Sequence, residues 1–396
     1  MLHRLTFKEK LVSFPLRAIS YLFIADPQSR REFAYHYCRV FISPQSLASL
    51  SKLRKMALLE GERSAIIAEP TDFHGEVLLG MINYYVDLGF QRILVLVSPK
   101  QYKRLEGAIV THPNVTVLPL DEIFFNRVFR YGNLKVDSYF LTTLIFRTFS
   151  LKRYCKGNPH FAERVCGILH TLTEDRRPEI GNLFKRQRAF LLNNFSSEEG
   201  VREVNASYFC RSSDQKTEPK DDKLRYISVG MRNKQILYDA FRALRKIHPE
   251  AQLTLVARTQ QLVPPDLLPN VRCQADKGYD VLFEEIRSSR FILALLSSEE
   301  ETDRAFLRKD YSKSSGNAQL SLGFNRPMII EEAFAGCYGF TAENAVVYPA
   351  GGLEDALMQA ANMSEEAYSA MQSELFKLFE EKKARALESL KNATRH

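Results

Sequence analysis

Three short stretches of this 396-residue chain bring together residue types that can do chemistry at a spacing that suits it. The first is Glu69-Pro-Thr-Asp-Phe-His74-Gly75-Glu76, which follows a short apolar run. Gly75 opens a helical pattern, so His74 stands in the turn at a helix N-terminus, where unpaired backbone N–H groups attract anions. A histidine there can act as a general base near neutral pH. Glu76 either assists it or complements the helix dipole. A lone histidine in a loop is more often structural or solvated. The crowding of Glu69, Asp72, His74 and Glu76 at one strand end sets a catalytic reading beside that one. The second stretch is Val229-Gly230-Met-Arg232-Asn-Lys234. Gly230 lets the chain turn sharply, and Arg232 and Lys234 can neutralise a diphosphate; otherwise this is a solvated basic turn. The third is Lys313-Ser-Ser315-Gly316-Asn317, which caps a helix over 318–324. Its hydroxyl, its backbone N–H groups and the helix dipole would together cradle a phosphate. Glu331 and Glu332, after a later strand, would hold a ribose or form an ordinary exposed pair. His170 ends another strand and either faces the same cleft or is a buried structural histidine.

The elements that position these residues follow from hydrophobic rhythm. Short apolar runs at 64–68, 92–97, 115–118, 165–169 and 189–192 read as buried strands, with helices at 75–88 and 120–131 between them. Residues 196–223 lose the pattern, and the polar, charged, Pro-containing stretch from Ser212 to Lys223 reads as a linker. The rhythm restarts with strands at 224–229, 252–256, 291–296, 328–330 and 346–348, helices at 234–247 and 279–287, and an amphipathic tail from Ser364. The charged run from Ser298 to Lys313 reads as a mobile loop over the cleft. Alternating strands and helices predict an α/β chain of two Rossmann-like domains, in which ligands bind at the carboxyl ends of the strands. The expected division is a basic helical segment 1–60, a first domain with its linker 61–222, a second domain 223–371 and a C-terminal helix 372–396.

Composition narrows the function classes. At 45% hydrophobic and 26% charged residues the chain is an ordinary globular protein, not a fibrous or disordered one. It has no apolar run near the roughly 18 residues a membrane span needs, and charges break any signal-peptide core, so a cytoplasmic protein is expected. The six cysteines are far apart, which argues against a zinc site or disulfide framework. Neither a Walker A loop nor a dinucleotide Gly-x-Gly-x-x-Gly fingerprint is present, so NAD is disfavoured. The first 60 residues carry ten Lys or Arg against four acids, net +6 of the chain's +8. That segment either lies on anionic lipid or packs on the body of the protein. Nucleic acid is the least favoured partner, because the basic residues do not interleave with aromatics on one face.

With these residues in hand, the chain resembles bacterial GT-B glycosyltransferases of the family 4/1-like kind that build surface polysaccharides. Residues 69–90 are similar to the opening of the acceptor lobe. The stretch from Tyr226 to about Met371, with Val-Gly-Met-Arg-Asn-Lys and Ser-Gly-Asn-Ala-Gln-Leu-Ser-Leu-Gly-Phe-Asn-Arg-Pro-Met-Ile-Ile, is similar to the donor lobe. The resemblance implies GT-B architecture with a helical N-terminal extension and C-terminal helices, and a metal-independent transfer of a sugar from a nucleotide diphosphate. It implies a saccharide or lipid-linked acceptor in lipopolysaccharide, capsule or exopolysaccharide synthesis, at the inner membrane face. Arg232 and Lys234 match the pair that contacts the diphosphate, and Ser315, Gly316 and Asn317 match the loop beneath the phosphates. His74 falls where acceptor-lobe catalytic or positioning residues arise. No cofactor is implied beyond the donor itself. Retaining members carry a Glu in the helix before the Pro and another about seven residues upstream. This chain has Leu320 near the first place and no Glu between Lys313 and Arg326, so ribose recognition and retaining stereochemistry are not carried over. Two alternatives remain: a non-catalytic GT-B-like subunit of an assembly complex, and a nucleotide-sugar epimerase on the same fold.

Overall fold

Six-residue runs such as Ser64-Ala-Ile-Ile-Ala-Glu69 and Arg92-Ile-Leu-Val-Leu-Val97 are buried along their whole length, as strands covered on both faces must be. The computed structural model describes residues 14–15, 44–57, 61–72, 74–108, 112–121, 124–125, 128–129, 134–144, 151–170, 181, 183, 185–193, 201–209, 224–230, 234–257, 260–275, 278–304, 306–307 and 315–395. Among them the first sheet holds β1 (Ser64–Glu69), β2 (Arg92–Val97), β3 (Val115–Pro119), β4 (Ser138–Leu141), β5 (Val165–Leu169), β6 (Ala189–Leu191) and β7 (Val201–Glu203). Its order is β3-β2-β1-β4-β5-β6-β7, every pairing parallel. The second sheet holds β8 (Arg225–Val229), β9 (Gln252–Ala257), β10 (Val271–Ala275), β11 (Phe291–Ala294), β12 (Met328–Glu331) and β13 (Val346–Tyr348). Its order is β10-β9-β8-β11-β12-β13, again parallel. In both sheets the chain reverses direction beside the first strand, between β1 and β4 and between β8 and β11. Those are the switch points where open parallel sheets bind ligands.

The helices are α1 (Pro44–Ala57), α2 (Gly75–Asp87), α3 (Pro99–Leu105), α4 (Leu151–Gly157), α5 (Pro159–Arg164), α6 (Lys234–Ile247), α7 (Tyr279–Arg287), α8 (Glu301–Arg304), α9 (Gly316–Phe324), α10 (Glu332–Tyr338), α11 (Leu353–Ala361) and α12 (Glu365–Ala393). No helix of the described residues is long and apolar enough to cross a membrane. One apolar core covers the outer face of each sheet. A third joins the lobes: it holds Ile67 and Val77 of the first, Ile292 and Phe324 of the second, and Leu375 and Leu390 of α12.

The lobes meet around the backbone of residues 204–209. A Cβ on Gly80 of α2 would stand 2.1 Å from the Ala206 carbonyl oxygen, and one on Gly323 of α9 would stand 2.3 Å from that of Ser207. The segment is thus held between two helices that approach it at glycines. Asn83 Nδ2 donates to the Tyr208 carbonyl at 2.7 Å, and Gln319 Oε1 accepts from the Ala206 N–H at 2.9 Å. Phe209 stacks on Phe324 at 5.6 Å between centroids. α12 starts on the second lobe, where Tyr368 donates to the Arg290 carbonyl at 2.8 Å. It ends on the first, where Lys382 pairs with Glu203 at 2.9 Å and Arg202 donates to the Ser389 carbonyl.

Several expectations need correcting. The stretch from 196, where the sequence pattern is lost, still holds β7, and residues 204–209 are buried between the lobes; the expected linker 212–223 lies outside the described residues. A three-residue edge strand followed by an irregular apolar segment has no period to detect. β4 has only four residues, and β10 alternates Arg272 and Gln274 with apolar neighbours at a sheet edge; neither was expected. α12 runs unbroken across residue 371. The charged run after Ser298 begins with the turn of α8, anchored by buried Asp303, which accepts from the Ser297 N–H at 3.2 Å. Most of the expected N-terminal extension, residues 210–223, residue 305 and residues 308–313 lie outside the described residues.

Gly80→Ala is expected to cost about 1–3 kcal/mol of stability, because the new methyl meets backbone that has no room to move. Gly336→Ala, in open space on α10, is expected to gain about 0.5–1 kcal/mol. Urea unfolding of both variants reads the contrast.

Candidate functional site

His74 is the N-cap residue of α2, with left-handed backbone (φ 60°, ψ 24°). A non-glycine residue in that region is held there by its surroundings. Its ring stacks on His170 at 3.8 Å between centroids and 17° between planes. Its Nδ1 stands 3.8 Å from Glu76 Oε1. Glu76 sits in the first turn of α2, on the residue face that the helix dipole favours. Burial alone would raise its pKa, but the neighbouring His74 imidazole overrides this and holds the carboxyl below its ordinary value.

His170, directly after β5, has its Nε2 2.8 Å from the Thr142 carbonyl and 3.2 Å from Thr143 Oγ1. The carbonyl can only accept, and the Thr143 hydroxyl already donates to Glu69 Oε2 at 2.8 Å, so Nε2 carries the hydrogen. Burial, then the nearby His74, push the His170 pKa down to about 3, so this ring stays neutral beneath His74. Glu69 ends β1 and is fully buried. Its Oε1 accepts from the Thr71 N–H at 2.7 Å and from the Thr71 hydroxyl; its Oε2 accepts from Thr142 at 2.6 Å and from Thr143. Burial raises its pKa, countered in part by the Thr142 and Thr71 hydroxyls. All of these side chains stand at the carboxyl ends of β1, β4 and β5, around the switch point of the first sheet.

On the second sheet, Gly230 follows β8 with φ 81°, and its N–H donates to the Val256 carbonyl at 2.9 Å. Ser315 is the N-cap residue of α9, its hydroxyl unused in capping, and Gly316 is exposed. Asn317 Nδ2 donates to the Val229 carbonyl at 3.1 Å. The two motifs that were far apart in sequence are therefore joined at the second switch point, and the buried Asn317 Oδ1 there carries no hydrogen bond. Arg232 lies outside the described residues, and Lys234 is described only as the first residue of α6. Glu331 and Glu332 do not act as one pair. Glu331 is buried and accepts from the Ser298 N–H at 3.0 Å, while Glu332 is exposed at the start of α10. The expected ordinary exposed pair is thus wrong for Glu331, because its strand end lies inside the fold.

The second lobe reaches the first switch point. Tyr279, the first residue of α7 on the second lobe, donates its hydroxyl to Glu76 Oε2 on the first at 3.2 Å. Sequence reasoning passed over Tyr279, Thr142 and Thr143. The threonines follow β4, which had no clear signal of its own, and Tyr279 looks like any aromatic opening an amphipathic helix.

No protein-family model matches the chain, and no curated protein matches it in sequence. Solved structures do. UGT89C1 of Arabidopsis thaliana complexed with UDP is 11% identical, with 84% of this chain and 100% of that one covered and a TM-score of 0.52. UDP-GlcNAc 2-epimerase of Neisseria meningitidis bound to UDP-GlcNAc is 13% identical, with 83% and 99% covered and a TM-score of 0.51. The likeness is one of fold: this chain has the two-lobed GT-B architecture.

A neutral His170 makes stability depend on pH. The unfolded histidine takes up a proton below about 6.5, and the folded one does not until about 3, so acid favours the unfolded chain. The His170 contribution is expected to fall by about 2 kcal/mol as pH drops from 6.5 towards 4.5, above the range where the lowered Glu76 contributes, while buried Glu69, whose pKa is raised, works in the opposite sense. His170→Gln, which keeps a donor for the Thr142 carbonyl and removes the titration, should flatten that slope in urea melts at stepped pH.

Proposed function

We propose that the protein is a glycosyltransferase that moves a sugar from a nucleotide diphosphate to a saccharide or lipid-linked acceptor in cell-surface polysaccharide synthesis. The observation that carries this reading is the unlike chemistry at the switch points of the two sheets. One presents a histidine with a carboxylate beside it. The other presents a glycine turn tied to the N-terminus of α9.

In this reading the donor diphosphate lies on the Gly230 turn and over Ser315, Gly316 and Asn317. Arg232 and Lys234 neutralise the charge that grows on the leaving group, as fixed dipoles and cations aimed at developing charge do, and no metal is called on. The acceptor hydroxyl stands near His74. As its oxygen attacks the anomeric carbon, the bond from that carbon to the diphosphate oxygen breaks and the hydroxyl proton passes to the His74 imidazole. Glu76 steadies the imidazolium that results, and the neutral His170 ring supports it from beneath without adding a competing charge. A base on the acceptor side suits a single displacement. Glu332, exposed at the end of β12, is the remaining candidate for the ribose. The basic segment 1–60 would hold the enzyme against the inner membrane face, near a lipid-linked acceptor.

A second reading has an observation of its own. Glu69, Glu76, His74 and His170 form an acid–base cluster, which an epimerase acting on a nucleotide sugar would also need.

A melting-temperature panel with UDP, GDP, CMP, ADP and their sugar conjugates is expected to single out one nucleotide diphosphate, since a ligand of the native state raises the midpoint. Arg232→Ala with Lys234→Ala should weaken that nucleotide about 100-fold or more; unchanged affinity would remove the donor-site assignment. His74→Gln should leave nucleotide affinity intact and slow turnover by about 10²–10⁴. Transfer to an acceptor, against interconversion of the free nucleotide sugar, separates the two readings. No stabilisation by any of the panel would mark a non-catalytic subunit.

A further inference from the structure

The donor lobe touches the His74 turn through the Tyr279 side chain. The Tyr279 ring is wedged against the first turn of α2: a Cβ on Gly75 would stand 2.7 Å from both its Cε2 and its hydroxyl oxygen, and 2.6 Å from Gln101 Oε1. The Gln101 carboxamide is fully buried there, beside the tyrosine hydroxyl. The ring packs on Phe283 at 6.1 Å, and Phe283 packs on Phe324 and Phe209, the aromatic group that joins the lobes. The Arg104 guanidinium of α3 lies 5.7 Å over its face. The packing places the tyrosine, and the hydroxyl is left to serve Glu76 alone among the carboxylates of the turn.

We propose that Tyr279 is a positioning residue for the His74–Glu76 pair: its hydroxyl holds the Glu76 carboxylate against the imidazole, so the acid–base pair is assembled by the apposition of the two lobes. The proposal rests on the reading of His74 as the base. A carboxylate has two oxygens, and here each has its own task. Oε1 faces His74 Nδ1 at 3.8 Å, and Oε2 takes the Tyr279 hydrogen at 3.2 Å. Without the second contact the carboxylate can turn about its last torsion towards water. Holding it costs one hydroxyl that is already immobilised by the aromatic packing, so little entropy remains to be lost. Charged and titratable groups near His74 include Glu76 on its own helix, Glu69 at the end of β1 and His170 after β5, and Tyr279 on α7, with Arg104 behind it, reaches Glu76. Tyr279 is supplied by the donor lobe. A base completed from the donor side would be unready in a chain whose lobes are parted, which would protect a bound donor from water.

The test is a pH titration of the full-length protein, labelled with 15N-histidine and followed by NMR, with the His74 signal assigned from His74→Gln. Tyr279→Phe keeps the ring and its packing and removes only the hydroxyl. It should lower the His74 midpoint by about half a pH unit or more, because the imidazolium loses its steadied counter-charge. Gly75→Ala, whose methyl would push both the ring and its hydroxyl away from the turn while leaving the tyrosine in place, should lower it too. An unmoved His74 midpoint in Tyr279→Phe would overturn the proposal even if Gly75→Ala shifts it or fails to fold. UDP and GDP binding are measured on the same samples. If neither intact protein nor variant binds a nucleotide, the donor-site reading falls, while the titration still decides the role of Tyr279.

Discussion

The backbone of residues 206–207 passes through a slot that only glycine can make. Gly80 and Gly323 line it, and at either position a single methyl group would overlap a carbonyl oxygen. Two parallel sheets joined by a free tether could take many mutual orientations. Here the crossing segment is itself core. Its carbonyls face helix backbones, its side chains Tyr208 and Phe209 pack on α12, α7 and α9, and its polar groups are met by Asn83 and Gln319. The contact between Tyr279 and Glu76 follows from that slot.

Around the first switch point the chain keeps several ionisable groups in distinct states by environment alone. Glu69 has every oxygen occupied by threonine donors and is out of reach of solvent. His170 is denied its charge by burial and by the histidine stacked on it. Glu76, in the first turn of a helix and beside an imidazole, is helped to keep its own. Separating titrating groups in this way is how a fold assigns acid and base roles to side chains of the same type. The second switch point has the opposite character. It offers backbone, a hydroxyl and a carboxamide, and basic residues follow Gly230 in the sequence.

The parts of this arrangement that could be seen in the sequence are those carried by local signals. Ser364 before Glu365 and Glu366 announces a helix start, and its hydroxyl does accept from the Ala367 N–H. The run Arg92-Ile-Leu-Val-Leu-Val97 has one sensible fate, and Gly89 with positive φ closes α2 as expected. The His74 turn and the Ser315–Asn317 turn were both visible, because a glycine beside a polar residue at a strand end is itself a local signal. The contacts between distant residues were not. That Asn317 reaches Val229, that His170 lies under His74, and that Tyr279 crosses to Glu76 depend on sheet order, which no window of residues contains. Short edge strands such as β7 and β10 take their identity from the neighbour they pair with. The inward turn of Glu331 was hidden by its exposed twin at the next position.

α12 has a consequence for how the molecule comes into being. A ribosome delivers the first lobe, then the second, and only afterwards the helix that returns to the first. Until Leu375, Phe379, Ala386 and Leu390 emerge, the joint core of the two lobes lacks one wall, and the face of Tyr208 that Phe379 and Lys383 cover stays bare. A growing chain therefore passes through a stage with both sheets made and a sticky seam between them, the moment at which it most needs shelter from its neighbours. The last helix is in this sense a clasp fastened after the rest of the garment is sewn.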